Sequence, residues 1–403
     1  MTARRAAALL AVTLAALTAP GPAPATDGAL PGRLARALAV PHVQAAQSSA
    51  LVIDLATGDP VFAQNEHATL APASNEKLAV TYAALTDFGT SFRFQTVVLG
   101  EGGQDGPVWD GNLVLQGHGD PTLSSTGLAA LAAQLREAGI RHVTGSIVGD
   151  ETFFDARRLV AGWKPSFSID ESPPLSALSV DRGRYHGVVG REPAQAAAAL
   201  FQEVLHRRGI VVDGPPETRR ATANAFPLAS ISSDPLEQIV RFMDRESDNF
   251  TAELLLKELG AVMSGKGTSA AGAAEVTRVL GDAGVPLGGV RIVDGSGLSR
   301  ADRLTAAALV EILRLAWSDP DLQEVFTAAL PVAGVNGTLD HRLRRGPARG
   351  AVRAKTGTTA IASALSGYVR DRFAFAILQN GHPLSLWWAR HAQDRVAQLL
   401  AAQ

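Results

Sequence analysis

The sequence predicts an α+β fold: antiparallel strands flanked by helices, interrupted by a strand-rich inserted block. Three observations carry this. Helical periodicity occupies residues 74–88 and a long stretch from Asp234 onward. Alternating apolar runs lie near the C-terminus, ALSGYV and RFAFAILQN, joined by a tight turn at Arg370-Asp371. Between the helical parts, short strands with turns dominate residues 94–155. The pattern suggests one α+β domain with another domain inserted into it.

Taken in order, residues 1–25 read as a secretory signal. Arg4 and Arg5 supply positive charge, residues 6–17 an apolar run, and Ala23-Pro24-Ala25 a small-residue cleavage site. Pro20 and Pro22 interrupt the run, which falls short of the roughly 20 apolar residues of a membrane span. A helical pattern follows at 33–38, then a strand pattern over 50–62 turning at Gly58-Asp59-Pro60. A loop carrying Pro72 leads into a helix over 74–88 closed by Gly89.

Within the inserted block, QTVVLG, NLVLQG and VTGSIVGD read as strands and 128–138 as a helix. An alanine-rich helix over 192–208 ends in Gly209. PLEQIVRFMDRES and NFTAELLLKELG read as consecutive helices, followed by helices at 270–283 and 305–318. A strand at 352–354 runs into KTGTT. The final helix, 384–402, has an apolar side with Trp387, Leu399 and Leu400 that is expected to pack on the core. Arg390 and Arg395 are too few to make an anionic-membrane face, so no firm membrane anchor is expected.

The composition excludes several functions. A formal net charge of -2 gives no basic field, so no nucleic-acid partner is expected. The absence of cysteine removes disulfides, thiol nucleophiles and thiolate metal sites. The nine histidines show no His-Glu-x-x-His spacing, and neither a metal nor a cofactor is expected.

Three short strings carry the chemistry: Ser74-Asn75-Glu76-Lys77, Ser247-Asp248-Asn249 and Lys355-Thr356-Gly357. Each alone reads equally as structure: a helix cap, a helix break, an edge-strand turn. Lysine scarcity changes the weighing, because only five of the 37 basic residues are lysine and two of those five fall inside these strings.

The chemistry also fits. Residues i and i+3 share a helix face, so Lys77 can meet the Ser74 hydroxyl, which is a poor nucleophile until a base takes its proton. A lysine base needs its pKa lowered by burial or a neighbouring cation, a part open to Lys355. Ser247 can relay a proton, and Asn249 can hold either a substrate carbonyl or Lys77. Thr356 and Thr358, with Lys355, form a plausible seat for a terminal carboxylate at a strand edge.

Together the strings match the Ser-x-x-Lys, Ser-x-Asn and Lys-Thr-Gly set of serine β-lactamases and penicillin-binding proteins. The chain resembles the D-alanyl-D-alanine carboxypeptidase/endopeptidase family, the class C low-molecular-mass, penicillin-binding protein 4-like enzymes. GNLVLQGHGDPTL, VGDETFFD, SALSVD, SDNFTAELLLKELG, DGSGLSR and LPVAGVNGTL carry that resemblance, which runs from about Ala50 to near the C-terminus. Ser247 follows Ser74 by 173 residues (247 − 74), room for the family's hallmark insert, although this insert is shorter than the family's.

The resemblance implies a β-lactamase/transpeptidase-like domain made of about residues 26–95 and 231–403, with an inserted domain of about 96–230. It implies Ser74 as acylated nucleophile, Lys77 as base, Ser247 as proton shuttle, and Asn249 and Lys355 as substrate-positioning groups. Thr356, Gly357 and Thr358 would bind substrate, with the Thr358 N–H completing an oxyanion hole. The implied partners are a peptidoglycan stem peptide and, as inhibitors, β-lactams. The implied location is beyond the cytoplasmic membrane: periplasm, cell wall or outside.

Two other functions compete: a serine β-lactamase, and a cell-wall protein that binds penicillin with weak turnover. The first calls for a deacylating glutamate after Ser-Asp-Asn. Glu171 precedes Ser247, whereas Glu253 and Glu275 lie in helical patterns and are expected to face solvent or join ion pairs. Slow hydrolysis of a β-lactam adduct is therefore expected.

Overall fold

The computed structural model describes residues 29–403, so the export-signal reading at 1–25 lies outside the described residues. Two main sheets organise the described chain. The first has five antiparallel strands in the order Val352–Thr358, Ala362–Val369, Phe373–Asn380, Ser48–Asp54, Pro60–Gln64. The N-terminal hairpin turns where the Gly-Asp-Pro signal places it, and its first strand runs in register along Phe373–Asn380, with Val52 opposite Phe375.

Successive side chains of a strand point to opposite faces, and this sheet is covered on both. Ala364 enters a core with Leu78, Leu255 and Leu309 from the helices Glu76–Phe88, Asn249–Ser264 and Ala306–Ser318. Its neighbour Leu365 enters the opposite core, with Leu34 and Val396 from the helices Leu30–Leu38 and Leu386–Ala401. Every residue of Ala362–Val369 is accordingly buried.

The final helix packs as expected through Val396 and Leu400, but Trp387 is 65% exposed. It stacks instead on His391 one turn along, centroids 5.3 Å apart and planes nearly parallel, an i,i+4 pairing on the helix surface.

The second sheet runs Glu217–Thr218, Ile147–Asp150, Val108–Gly117, Gln95–Asp105, Phe226–Ser232, with His142–Val143 and Val211–Val212 alongside. Gln95–Asp105 and Val108–Gly117 form a long hairpin. Ile147–Asp150 pairs with Val108–Gly117 in parallel, because the helix Ser125–Glu137 crosses over between them. Val98, Leu113, Leu131 and Phe201 form a core separate from those of the first sheet.

Polar contacts, the following three among them, join this part of the chain to the elements around the first sheet. Buried Lys257 pairs with Asp155, Arg182 pairs with Asp248, and the Trp163 indole N–H donates to Asp294 at 2.7 Å.

Candidate active site

Ser74 does not open the long helix itself. Residues Ala73–Asn75 form a 3-10 turn, and the α-helix begins at Glu76 and ends at Phe88 with Gly89 in a positive-φ cap, φ 76°. The one-turn spacing survives this shift, because Lys77 Nζ donates to Ser74 Oγ at 3.3 Å.

Close approach fixes the turn. The Asn75 amide donates to the Lys355 carbonyl at 3.0 Å, tying the turn to the edge strand Val352–Thr358. A Cβ at Gly357 would lie 2.8 Å from the Pro72 carbonyl, and one at Gly297 would lie 1.9 Å from the Ala73 carbonyl. Glycine at both positions lets the strand and the 294–302 loop close on the serine.

Ser247 and Asn249 come from a helix elbow. The helix Leu236–Glu246 ends with Ser247 in the left-handed region at φ 58°. Asp248 then caps Asn249–Ser264, its carboxylate accepting the Thr251 N–H at 2.8 Å. Ser-Asp-Asn is thus a helix break with a new cap, and the same elbow places Ser247 and Asn249 in the lining of the cleft.

The two lysines are fully buried and separately wired. Lys77 Nζ also donates to Asn249 Oδ1 and to the Ser296 carbonyl, each at 2.8 Å. Lys355 Nζ donates to Ser247 Oγ at 2.8 Å and to the Thr356 carbonyl at 3.1 Å. Burial lowers Lys77 from the ordinary lysine value, against the pull of Asp294, Glu253, Asp244 and Asp248. Burial, then the charge of Lys77, brings Lys355 to about 7, while Asp244 opposes the fall. The fall at Lys77 is in the direction a base requires, since it favours loss of the ammonium proton.

Ser74, Ser247, Asn249, Thr356 and Thr358 line one cleft of about 460 Å³, with Lys77, Lys355 and Gly357 packed beneath. A larger cavity of about 1030 Å³, bordered by Arg300, Asn380 and His382, contains none of these residues. All eight predicted site residues therefore come together around Ser74.

Sequence reasoning missed several neighbours. Glu253 is not on a solvent face: it is fully buried, and its carboxylate accepts the N–H groups of Gly295 and Ser296 at 3.0 and 2.9 Å. It thereby holds the loop that presents the Ser296 carbonyl to Lys77. Burial, reinforced by Asp294, raises Glu253 to about 8. Glu275 does join an ion pair, with Arg278.

Asp244, buried near both lysines, accepts from Thr81 Oγ1 at 2.8 Å. Glu171 lines the cleft, and its carbonyl accepts the second amide hydrogen bond of Asn249 at 3.1 Å. Arg390 reaches Thr358 Oγ1 at 3.2 Å. The DGSGLSR string was a signal for the loop, but nothing local marked Asp244, Glu171 or Arg390.

Comparison with known proteins identifies the family. The model of the D-Ala-D-Ala carboxypeptidase 3 (S13) family matches residues 30–190 and 186–403. The chain belongs to that family. This S13 enzyme is a serine D-alanyl-D-alanine carboxypeptidase. It is 34% identical to the D-alanyl-D-alanine carboxypeptidase of Actinomadura sp. (strain R39), over 99% of this chain and 90% of that one.

The S13 fold is also seen in the crystal structure of penicillin-binding protein 4 (dacB) from Haemophilus influenzae. That structure matches with a TM-score of 0.78 at 21% identity, covering 91% of this chain and 97% of the other. The same Haemophilus influenzae protein complexed with a β-lactam matches with a TM-score of 0.75 at 21% identity and the same coverage.

Proposed function

We propose that the protein is exported and removes the terminal D-alanine from peptidoglycan stem peptides through an acyl-enzyme on Ser74. The observation that carries this reading is Lys77 Nζ, 3.3 Å from Ser74 Oγ and held there by Asn249 Oδ1 and the Ser296 carbonyl. Neutral Lys77 takes the hydroxyl proton as Ser74 Oγ attacks the carbonyl of the penultimate D-alanine. The backbone N–H groups of Ser74 and Thr358 receive the oxyanion. Collapse of the tetrahedral intermediate breaks the peptide bond. The leaving amine takes a proton through Ser247, which Lys355 holds. Water then cleaves the ester, freeing Ser74.

The same acylation serves a D-alanyl cross-link, so endopeptidase activity belongs to this proposal. So does acylation of Ser74 by β-lactams, in keeping with the β-lactam complex of the Haemophilus influenzae relative. Glu253, sealed against the 295–296 backbone, is not free to activate water in the cleft, which supports a long-lived β-lactam adduct. The proposed division remains 26–95 with 231–403 around an insert of 96–230.

Purified stem pentapeptide and cross-linked muropeptide, digested and analysed by chromatography and mass spectrometry, test the reading. D-Alanine release by the wild type and none by Ser74→Ala is the expected result. Release that survives the substitution overturns the mechanism.

A further inference from the structure

We propose that Arg390, on the final helix, is a substrate-binding residue that receives the terminal carboxylate of the scissile peptide. This rests on Ser74 being the nucleophile of the cleft it shares with Arg390.

Arg390 lies one turn into the helix Leu386–Ala401, far in sequence from every motif, yet its guanidinium lines the same cleft as Ser74, Thr356 and Thr358. Its placement is not explained by stabilisation of its own helix. A cation near a helix N-terminus gains nothing from the helix dipole. The carboxylate one turn along, Asp394, would be its natural partner, but Asp394 pairs with Arg342 at 2.6 Å. Among the described residues, no carboxylate lies within ion-pair distance of Arg390, and its guanidinium instead donates to Thr358 Oγ1 at 3.2 Å.

Among the described residues, the other charges of the cleft leave Arg390 as its free cation. Arg342 is held by Asp394 and Gln393, and His341 lies against Asp340 at 3.4 Å. Lys355 is buried and turned to Ser247 and the Thr356 carbonyl. Glu171, the remaining acid of the lining, belongs to the chain segment that contacts Asn249.

Donor counting sharpens the point. Thr358 Oγ1 accepts from Arg390, so the Thr358 hydroxyl proton is free to point at an anion. The Thr356 hydroxyl, by contrast, donates to Thr338 Oγ1 at 2.7 Å. Arginine and Thr358 together offer several N–H and O–H donors at the exposed end of the edge strand, the fork geometry that suits a carboxylate.

The test compares substrates with and without that carboxylate, in the full chain. For an acyl-D-Ala-D-Ala peptide, Arg390→Gln should raise KM about 5- to 50-fold with kcat little changed, the range for an exposed charge-assisted contact. For an acyl-D-alanine thioester with an uncharged leaving group, kcat/KM should stay within about twofold, and Arg390→Lys should recover part of the peptide loss. Benzylpenicillin should acylate the Arg390→Gln variant more slowly, whereas its methyl ester should not distinguish variant from wild type. Equal losses on both substrates, or no loss on the peptide, would overturn the assignment. Failure of benzylpenicillin to label wild-type Ser74 would instead strike at the nucleophile.

Discussion

Arg182 holds Asp248 in a two-pronged ion pair, Nη1 to Oδ1 at 3.2 Å and Nη2 to Oδ2 at 2.6 Å. Asp248 is the middle residue of Ser-Asp-Asn and the cap of the helix that starts at Asn249, while Arg182 comes from the chain between the two halves of the first sheet. The guanidinium also lies over the Phe250 ring, 5.0 Å from its centroid. A contact outside the cleft thus sets the position of both residues that meet the lysines.

Arg182→Ala should therefore slow acylation about 10-fold or more and destabilise the fold by about 1–2 kcal/mol, since the pair is partly exposed. Stopped-flow labelling with a fluorescent penicillin, alongside thermal melts, measures both. Labelling at the wild-type rate would show that Asp248 keeps its place unaided.

Lys77→Arg keeps the charge but cannot lose a proton near neutral pH. Labelling of Ser74 should fall by at least about 100-fold, the usual scale of a lost general base. Circular dichroism checks that the fold persists, and wild-type-like labelling would refute Lys77 as base.

Asp244 supplies negative charge that favours the protonated form of both lysines. Asp244→Asn removes it, so less alkaline solution should suffice to deprotonate them. The acid limb of the kcat/KM profile should move to lower pH, as a macroscopic property of the coupled pair. An acid limb that stays fixed or moves upward would contradict this electrostatic role.

Glu258 is raised to about 8 by burial, with Asp120 adding to the rise. Its folded pKa lies above its unfolded value, so its favourable contribution is complete below about 4.5 and is lost as pH rises through about 8. Glu258→Gln should therefore gain stability relative to wild type between pH 5 and pH 9, on the order of 1–3 kcal/mol. Chemical denaturation of both proteins across that range measures the difference, and parallel curves would rule out the effect.

Much of the fold and the centre of the site were legible because their signals are local. Ser74 and Lys77 are one turn apart, and Gly58, Gly89 and Gly209 mark the ends of elements by backbone geometry alone. Glu253 was misread for the opposite reason. The helix Asn249–Ser264 is buried around most of its circumference, so its charges cannot be assigned to a solvent face by periodicity. The groups that accommodate them lie far away: Glu253 meets backbone N–H groups 42 and 43 residues on, and Lys257 meets Asp155 102 residues back. The parallel strand pair in the second sheet was hidden likewise, since strand direction follows from a helical crossover and not from strand composition.

The scarcity of lysine has a practical side. Lys77, Lys257 and Lys355 are buried, leaving Lys164 and Lys266 as the exposed lysine amines. Amine-reactive dyes, cross-linkers and immobilisation resins will therefore attach to the folded protein at those two lysines in preference to the three buried ones. Neither borders the cleft, so a conjugate made this way keeps Ser74 open to peptide and to drug.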